Sequence, residues 1–172
     1  MTPLDLVSKE ETLRLLERVA EEFSAHTTLQ DAEGNVLLEG GTYTTLCGRV
    51  RSRAQLLSFV CGLTNTNMLA EAKAGGAPVT DLCELGLFKT YVPLFHDGTF
   101  IGGLSACGVV DGDEPPEAFL VAKTLEIDES EAAELLKGVR TITSEEGQRL
   151  TDALANGLVA EGLTSGGGSA RP

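Results

Sequence analysis

Between Lys9 and Ser24 the apolar residues Leu13, Leu16, Ala20 and Phe23 recur at three- and four-residue spacing, with acidic residues on the other face. That periodicity predicts an amphipathic helix. The pattern then shortens. Thr27 to Asp31 reads as a strand, Asp31-Ala32-Glu33-Gly34-Asn35 as a turn, and Val36 to Glu39 as the returning strand of a hairpin, which Gly40-Gly41 breaks. Arg53 to Cys61 predicts a helix with Leu56, Leu57 and Val60 on its apolar face. The Thr64-Asn65-Thr66-Asn67 run suits the cap of a further helix through Leu69 to Lys73, stopped by Gly75-Gly76. Pro78 opens an extended segment that carries Cys83. Phe88 to Phe95 and Thr99 to Val110 are strand candidates joined by His96-Asp97-Gly98, and Asp-Gly between apolar runs signals a hairpin. Helices are expected over Glu117 to Leu125, Ile127 to Leu136 and Thr143 to Val159, the last with Ser144 as N-cap. Leu163 to Pro172 has the composition of a flexible tail.

Short strands with helices before, between and after them imply an α+β domain built on an antiparallel sheet of four to five strands with flanking helices. The domain is expected to fill residues 1–162, with 163–172 as the tail. A 172-residue chain with 42% apolar residues suits one globular domain with a sizeable core. Its 26 acidic residues against 13 basic ones give a formal net charge of −13, which repels phosphate backbones and anionic membranes. Neither nucleic acid nor membrane is therefore an expected partner. No charge-free apolar run reaches the roughly eighteen residues of a membrane span. The opening MTPLDLVSKEE lacks the basic and apolar regions of a secretion signal, so a cytoplasmic location is expected.

Outside an oxidising compartment, four cysteines read as thiols or metal ligands rather than a disulfide framework. Cys47, Cys61 and Cys83 fall in three different local elements. Three readings stay open: small core hydrophobes, convergence as thiolate ligands of an iron–sulfur cluster or a zinc ion, or reversible disulfide chemistry. Cys107 is the remaining thiol that completes a four-cysteine set, and Glu84 beside Cys83 offers an oxygen ligand. No pair has the short spacing of a zinc ribbon.

The run Gly102-Gly103-Leu104-Ser105-Ala106-Cys107-Gly108 is rich in glycine for a strand, which marks close approach of a packed element or of a ligand. Strict alternation puts Ile101, Gly103, Ser105, Cys107 and Val109 on one face, so Gly103 and Ser105 are candidate pocket-wall residues. It lacks the context of a phosphate loop. Thr64 and Asn65 are read as either a helix cap or ligand contacts. His26 and His96 are read as exposed or capping, and no serine–histidine–acid grouping can be drawn from the chain.

The stretch holding Cys47, then Cys61 with Thr64-Asn65, then Cys83 with Leu85-Gly86-Leu87 and Tyr91-Val92-Pro93-Leu94 resembles the sensory domain named after PocR, a bacterial regulator of propanediol use. The resemblance runs from about Leu13 to Leu158. Where that family often has His after its third cysteine, this chain has Glu84. The resemblance implies a PAS-like fold that senses small molecules for an attached output module, and no such module is visible here.

Two functions follow as expectations. The first is a stand-alone, non-enzymatic sensory domain that binds a small organic ligand or a cysteine-held metal or iron–sulfur cofactor and signals to a partner protein, with a homodimer left open. The second is a redox or metal-dependent enzyme, or a subunit of one, with Cys47, Cys61 and Cys83 as its active centre.

Overall fold

The structure is a computed structural model and describes residues 1–166. A 3-10 turn at Pro3–Asp5 precedes helix α1 (Lys9–Phe23) and the hairpin of β1 (His26–Asp31) and β2 (Val36–Gly40). Next come α2 (Thr45–Arg51), α3 (Ala54–Leu56), a π-helical segment (Leu57–Gly62) and α4 (Leu63–Gly75). Strands β3 (Val79–Leu82), β4 (Phe88–His96) and β5 (Thr99–Asp111) follow, then α5 (Ala118–Leu125), α6 (Glu129–Lys137), the short β6 (Thr141–Ile142), α7 (Ser144–Ala155) and the short β7 (Leu163–Thr164). The main sheet runs β2-β1-β5-β4-β3 and is antiparallel throughout; β7 adds antiparallel to β4, and β6 lies parallel to the end of β5. This is the α+β, PAS-like architecture expected, with two short strands added. Leu163 and Thr164, assigned to the tail by composition, pair with His96 and Phe95, while residues 167–172 of that tail lie outside the described residues.

One sheet face is apolar. Leu15, Leu16, Val19 and Phe23 of α1 and Leu150 and Leu154 of α7 pack on Leu29, Leu38, Val92, Leu94, Leu104 and Ala106. The helices start where local chemistry dictates. Ser8 accepts the Glu11 N–H at 3.1 Å to cap α1, and Thr143 with Glu146 forms a capping box at α7. Thr143 therefore takes the N-cap role expected of Ser144, and α7 ends at Ala155 rather than Val159.

Strict alternation fails at both ends of β5. Ile101 and Gly108 are extra residues against β4, where Leu94/Phe95 oppose Gly102/Phe100 and Phe88/Lys89 oppose Val109/Cys107. Both bulges rest on glycines in backbone conformations that L side chains avoid: Gly102 at φ 142° and Gly108 at φ 88°. Each bulge shifts the pleat by one position. Ile101 and Val109 therefore join Leu104 and Ala106 in the apolar core, instead of sharing a face with Ser105 and Cys107.

The expected helix break at Thr64–Asn67 is also corrected. The α3, π and α4 segments follow one another without interruption, and Thr64 and Thr66 lie inside α4. Their hydroxyls donate back to the Val60 and Gly62 carbonyls at 3.3 and 3.0 Å rather than capping a new helix. Gly76, at φ 63°, ends α4 as its composition predicts.

The second sheet face meets this helical layer, where Met68 and Ala72 pack on Tyr91. A further apolar cluster at one end joins Leu46 and Val50 of α2, Val60, Leu85, Leu87, Val110 and α5 residues Val121 and Leu125. Gly103 lies beneath Tyr91: a Cβ there would fall inside contact distance of the phenol ring. The buried Tyr91 hydroxyl has no hydrogen-bond partner among the described residues. Gly103→Ala is accordingly expected to lower stability by about 1–3 kcal/mol through overpacking. Tyr91→Phe removes an unpaired buried hydroxyl and is expected to leave stability unchanged or raised. Urea midpoints check both, with Gly75→Ala, which meets nothing within 4 Å, as the control. A Gly103→Ala protein as stable as wild type would refute this packing.

Candidate functional site

Half of the ten polar side chains buried among the described residues lie on the second sheet face. His26, Thr28 and Gln30 come from β1, Ser105 from β5 and Lys89 from β4, each no more than 7% exposed. Register explains their grouping. Cys107 sits between His26 and Lys89 across the strands, and Ser105 sits between Thr28 and Tyr91. Helix α2 and the π–α4 helix close over them, leaving a cavity of about 110 Å³. Its helical and loop wall includes Tyr43, Thr44, Cys47, Arg51, Cys61 and Asn65.

Each wall is fixed by identifiable contacts. Thr44 caps α2 by accepting the Cys47 N–H at 3.2 Å, which sets Cys47 in the first helical turn. The Cys47 sulfur lies 3.9 Å from where a Cβ of Gly108 would stand, so the glycine of the second bulge leaves that space open. Cys61 lies in the π-helical segment, whose wider turn is a rare local geometry that recurs at functional sites.

On the sheet side, Gln30 Nε2 donates to Thr28 Oγ1 at 3.1 Å, and Thr28 and Ser105 share a hydrogen bond of 2.7 Å. His26 Nε2 lies 2.9 Å from Glu39 Oε2, and the Tyr43 hydroxyl donates to the same carboxylate oxygen at 2.7 Å. The Tyr43 ring stacks on His26 with centroids 4.0 Å apart, and the Arg51 guanidinium lies 4.0 Å from the Tyr43 centroid. Lys89 Nζ donates to Asn65 Oδ1.

Burial dominates the site's protonation. It lowers the His26 pKa below its usual value despite the Glu39 carboxylate, and it raises the Cys61 and Cys83 thiols. It pushes Cys47 up to about 12. The Tyr43 hydroxyl bond holds the Glu39 carboxyl below its usual range. Burial thus favours the neutral thiol at Cys47, Cys61 and Cys83, the opposite of what activates a cysteine nucleophile.

The sequence-based site residues divide clearly. Cys47, Cys61, Cys107, Asn65 and Ser105 line the cavity. Cys83 instead packs against the apolar cluster of Leu85 and Leu87, Glu84 is exposed in the turn after β3, Gly103 carries Tyr91, and Thr64 bonds within its helix. All four cysteines are free. Among the described residues, no group of three or more His, Cys, Asp or Glu side chains is arranged to hold a metal ion. Of the expected thiolate set, Cys47, Cys61 and Cys83 all pack against one apolar cluster, while Cys47, Cys61 and Cys107 but not Cys83 or Glu84 line the cavity.

Sequence reasoning missed His26, Thr28, Gln30, Lys89, Tyr43 and Arg51. His26 is 7% exposed and carboxylate-bonded rather than exposed or capping. The signal for Lys89 was present: a lone lysine within FKTYVPLF, a strand otherwise without charge.

His26 gives a pH prediction. Its folded-state pKa lies below the roughly 6.5 of an unfolded histidine, so the unfolded chain takes up its proton first as pH falls. The stability His26 contributes is fully present above that value and is lost as pH falls towards the folded pKa. Unfolding midpoints are expected to drop from pH 7.5 to 5.5, and to drop less in His26→Gln. An equal drop in the variant would assign the effect elsewhere.

No curated protein sequence matches the chain. Among solved structures, an IclR homolog from Microbacterium hydrocarbonoxydans complexed with 4-hydroxybenzoate is 17% identical with a TM-score of 0.36, covering 85% of this chain and 67% of that one. An IclR homolog from Microbacterium sp. strain HM58-2 is 22% identical with a TM-score of 0.35, covering 74% of this chain and 64% of that one. This chain therefore spans about two thirds of the length of each, and likenesses at these scores carry no functional argument. Among the described residues no helix is long and apolar enough to cross a membrane. The family model for the sensory domain found in PocR matches residues 5–159, and the chain belongs to that family.

Proposed function

We propose that this chain is a non-enzymatic sensory domain whose small organic ligand occupies the cavity between the sheet and the α2–π–α4 layer, and whose occupancy is passed to a partner protein in the cytoplasm. The observation that carries this reading is the enclosed polar face itself: Thr28, Gln30, Lys89 and Ser105 are buried beneath helices, around a cavity rather than a packed interior. These groups are hydrogen-bonded, yet Lys89 and the Thr28–Ser105 pair keep donors to spare beside the cavity, which suits a polar guest. Membership of a sensory-domain family supports the same reading.

The enzyme alternative has less support. Burial favours the neutral thiol at Cys47 and Cys61, and His26 is committed to Glu39 rather than to a nucleophile. The net charge of −13 weighs against nucleic acid as a partner.

The two walls differ in a way that suits a sensor. The sheet wall is held by β1–β5 and β4–β5 ladders, whereas the other wall is one short helix and one π-helical turn. A guest that contacts α2 and the π segment favours the conformation in which those contacts form, and its differential affinity for the two conformations sets the size of the signal.

Native mass spectrometry of gently purified protein is expected to show an organic adduct that is lost on denaturation. Stoichiometric iron or zinc without an organic adduct would restore the metal reading. Hydrogen exchange on adduct-bearing and stripped protein is expected to show increased protection at Thr44–Arg51 and Leu57–Gly62 when the site is filled. Unchanged protection in both segments would remove them from the signalling path.

A further inference from the structure

Lys89 is the only lysine, arginine, aspartate or glutamate that is buried among the described residues, at 6% exposure. Its hydrogen-bond partner there is the neutral carbonyl oxygen of Asn65, and no ion pair among the described residues includes it. The acid opposite it in register, Asp81, is exposed and turns back to accept the Leu82 N–H at 2.8 Å. A buried ammonium facing a cavity without a counter-charge is a strong cue for an anionic guest.

The surrounding groups point the same way. Lys89 has three donors and uses one on Asn65. Asn65 spends its oxygen on Lys89, which leaves its amide N–H groups to donate. Gln30 donates to Thr28, and the Thr28–Ser105 bond consumes one of two hydroxyl hydrogens. Whichever hydroxyl donates, the other retains a hydrogen, and both residues line the cavity. The lining carboxylate, Glu39, already accepts from His26 and Tyr43. With His26 neutral, Lys89 and Arg51 outweigh Glu39, so the lining is net positive on a chain of net charge −13.

From these residues we infer that the cavity recognises the carboxylate group of a short organic acid; this rests on the sensory reading above and names its ligand class. One carboxylate oxygen takes Lys89 Nζ, and the other takes the Asn65 amide or the free hydroxyl hydrogen of the Thr28–Ser105 pair. The rest of the acid lies against the side chains of Cys47, Cys61 and Cys107, which line the cavity. The cavity, of about 110 Å³, suits a short acid of a few carbons. A phosphate is the other oxyanion of that size. The first-turn amide of Cys47 is already capped by Thr44, and the buried sheet side supplies one ammonium, so carboxylate fits better.

The test uses the full chain stripped of adducts, titrated at constant ionic strength with sodium acetate, lactate and butyrate, with acetamide, lactamide and butyramide, and with sodium phosphate. Melting temperature and the NMR amide shifts of Cys107, Asn65 and Lys89 are followed. At least one acid is expected to bind saturably, at least 30-fold more tightly than its amide and more tightly than phosphate. Lys89→Met is expected to lose that binding at least 30-fold. Asn65→Asp supplies the missing carboxylate from within and keeps the side-chain shape. It is expected to melt higher than the unliganded wild type and to abolish the response to acid. Amides binding as well as acids, or tightest binding by phosphate, would overturn the carboxylate assignment and leave the sensory reading standing. Shifts from none of these compounds would overturn both. An Asn65→Asp protein that keeps its acid response would remove Lys89 and Asn65 from the site.

Discussion

The phase of the β5 pleat is the constraint on which the rest of the molecule depends. β5 is the central strand, bonded to β1 on one side and β4 on the other, so the direction of each of its side chains is copied to both neighbours. Between the bulges at Ile101–Gly102 and at Gly108, Leu104 and Ala106 point to α1 and α7 while Ser105 and Cys107 point to the cavity. Without the bulges, Ile101 and Val109 would be turned out of the apolar core and onto the polar side. A one-residue slip in a strand reverses every side chain beyond it. The two glycines that permit these bulges thus keep a dry face and a wet face on one sheet.

The wet face is stable because most of its polar groups are paired with one another. Glu39 satisfies His26 and Tyr43, Thr28 links Gln30 to Ser105, and Asn65 meets Lys89. Paired in this way, each group avoids the desolvation penalty that an orphan carries. The helical wall is held by the Thr44 cap, the buried apolar contacts of Leu46, Val50 and Val60, and the Arg49–Glu131 ion pair.

The cysteines show how composition and packing divide the decision. Soft donors in three separate elements are compatible with a shared metal and equally with a shared core. In the folded chain Cys83 lies with Leu85 and Leu87, while Cys47 and Cys61 contribute to both the apolar cluster and the cavity. Burial favours the neutral thiol at Cys47 and Cys61, so their role at the site is that of small, polarizable walls.

Local rules were enough to read most elements. The period of Leu13, Leu16, Ala20 and Phe23 gives α1, Asp97-Gly98 gives the β4–β5 hairpin, and Gly76 ends α4 where a left-handed residue is needed. The sequence pattern also carried the family resemblance, and with it the sheet architecture. Three things were decided only by tertiary structure. The Thr64–Asn67 run looks like a cap, yet its hydroxyls bond back along a helix that packing keeps continuous. The face of Ile101 and Val109 depends on bulges that exist only against a partner strand. Lys89, Asn65, Thr28 and Ser105 meet only through strand register and helix docking, since Thr28 and Ser105 are 77 residues apart in the chain. Sequence determines what each segment prefers by itself, because capping, turns and periodicity act over a few residues. Which polar groups share a buried cavity is a non-local property, set when the sheet closes and the helices cover it.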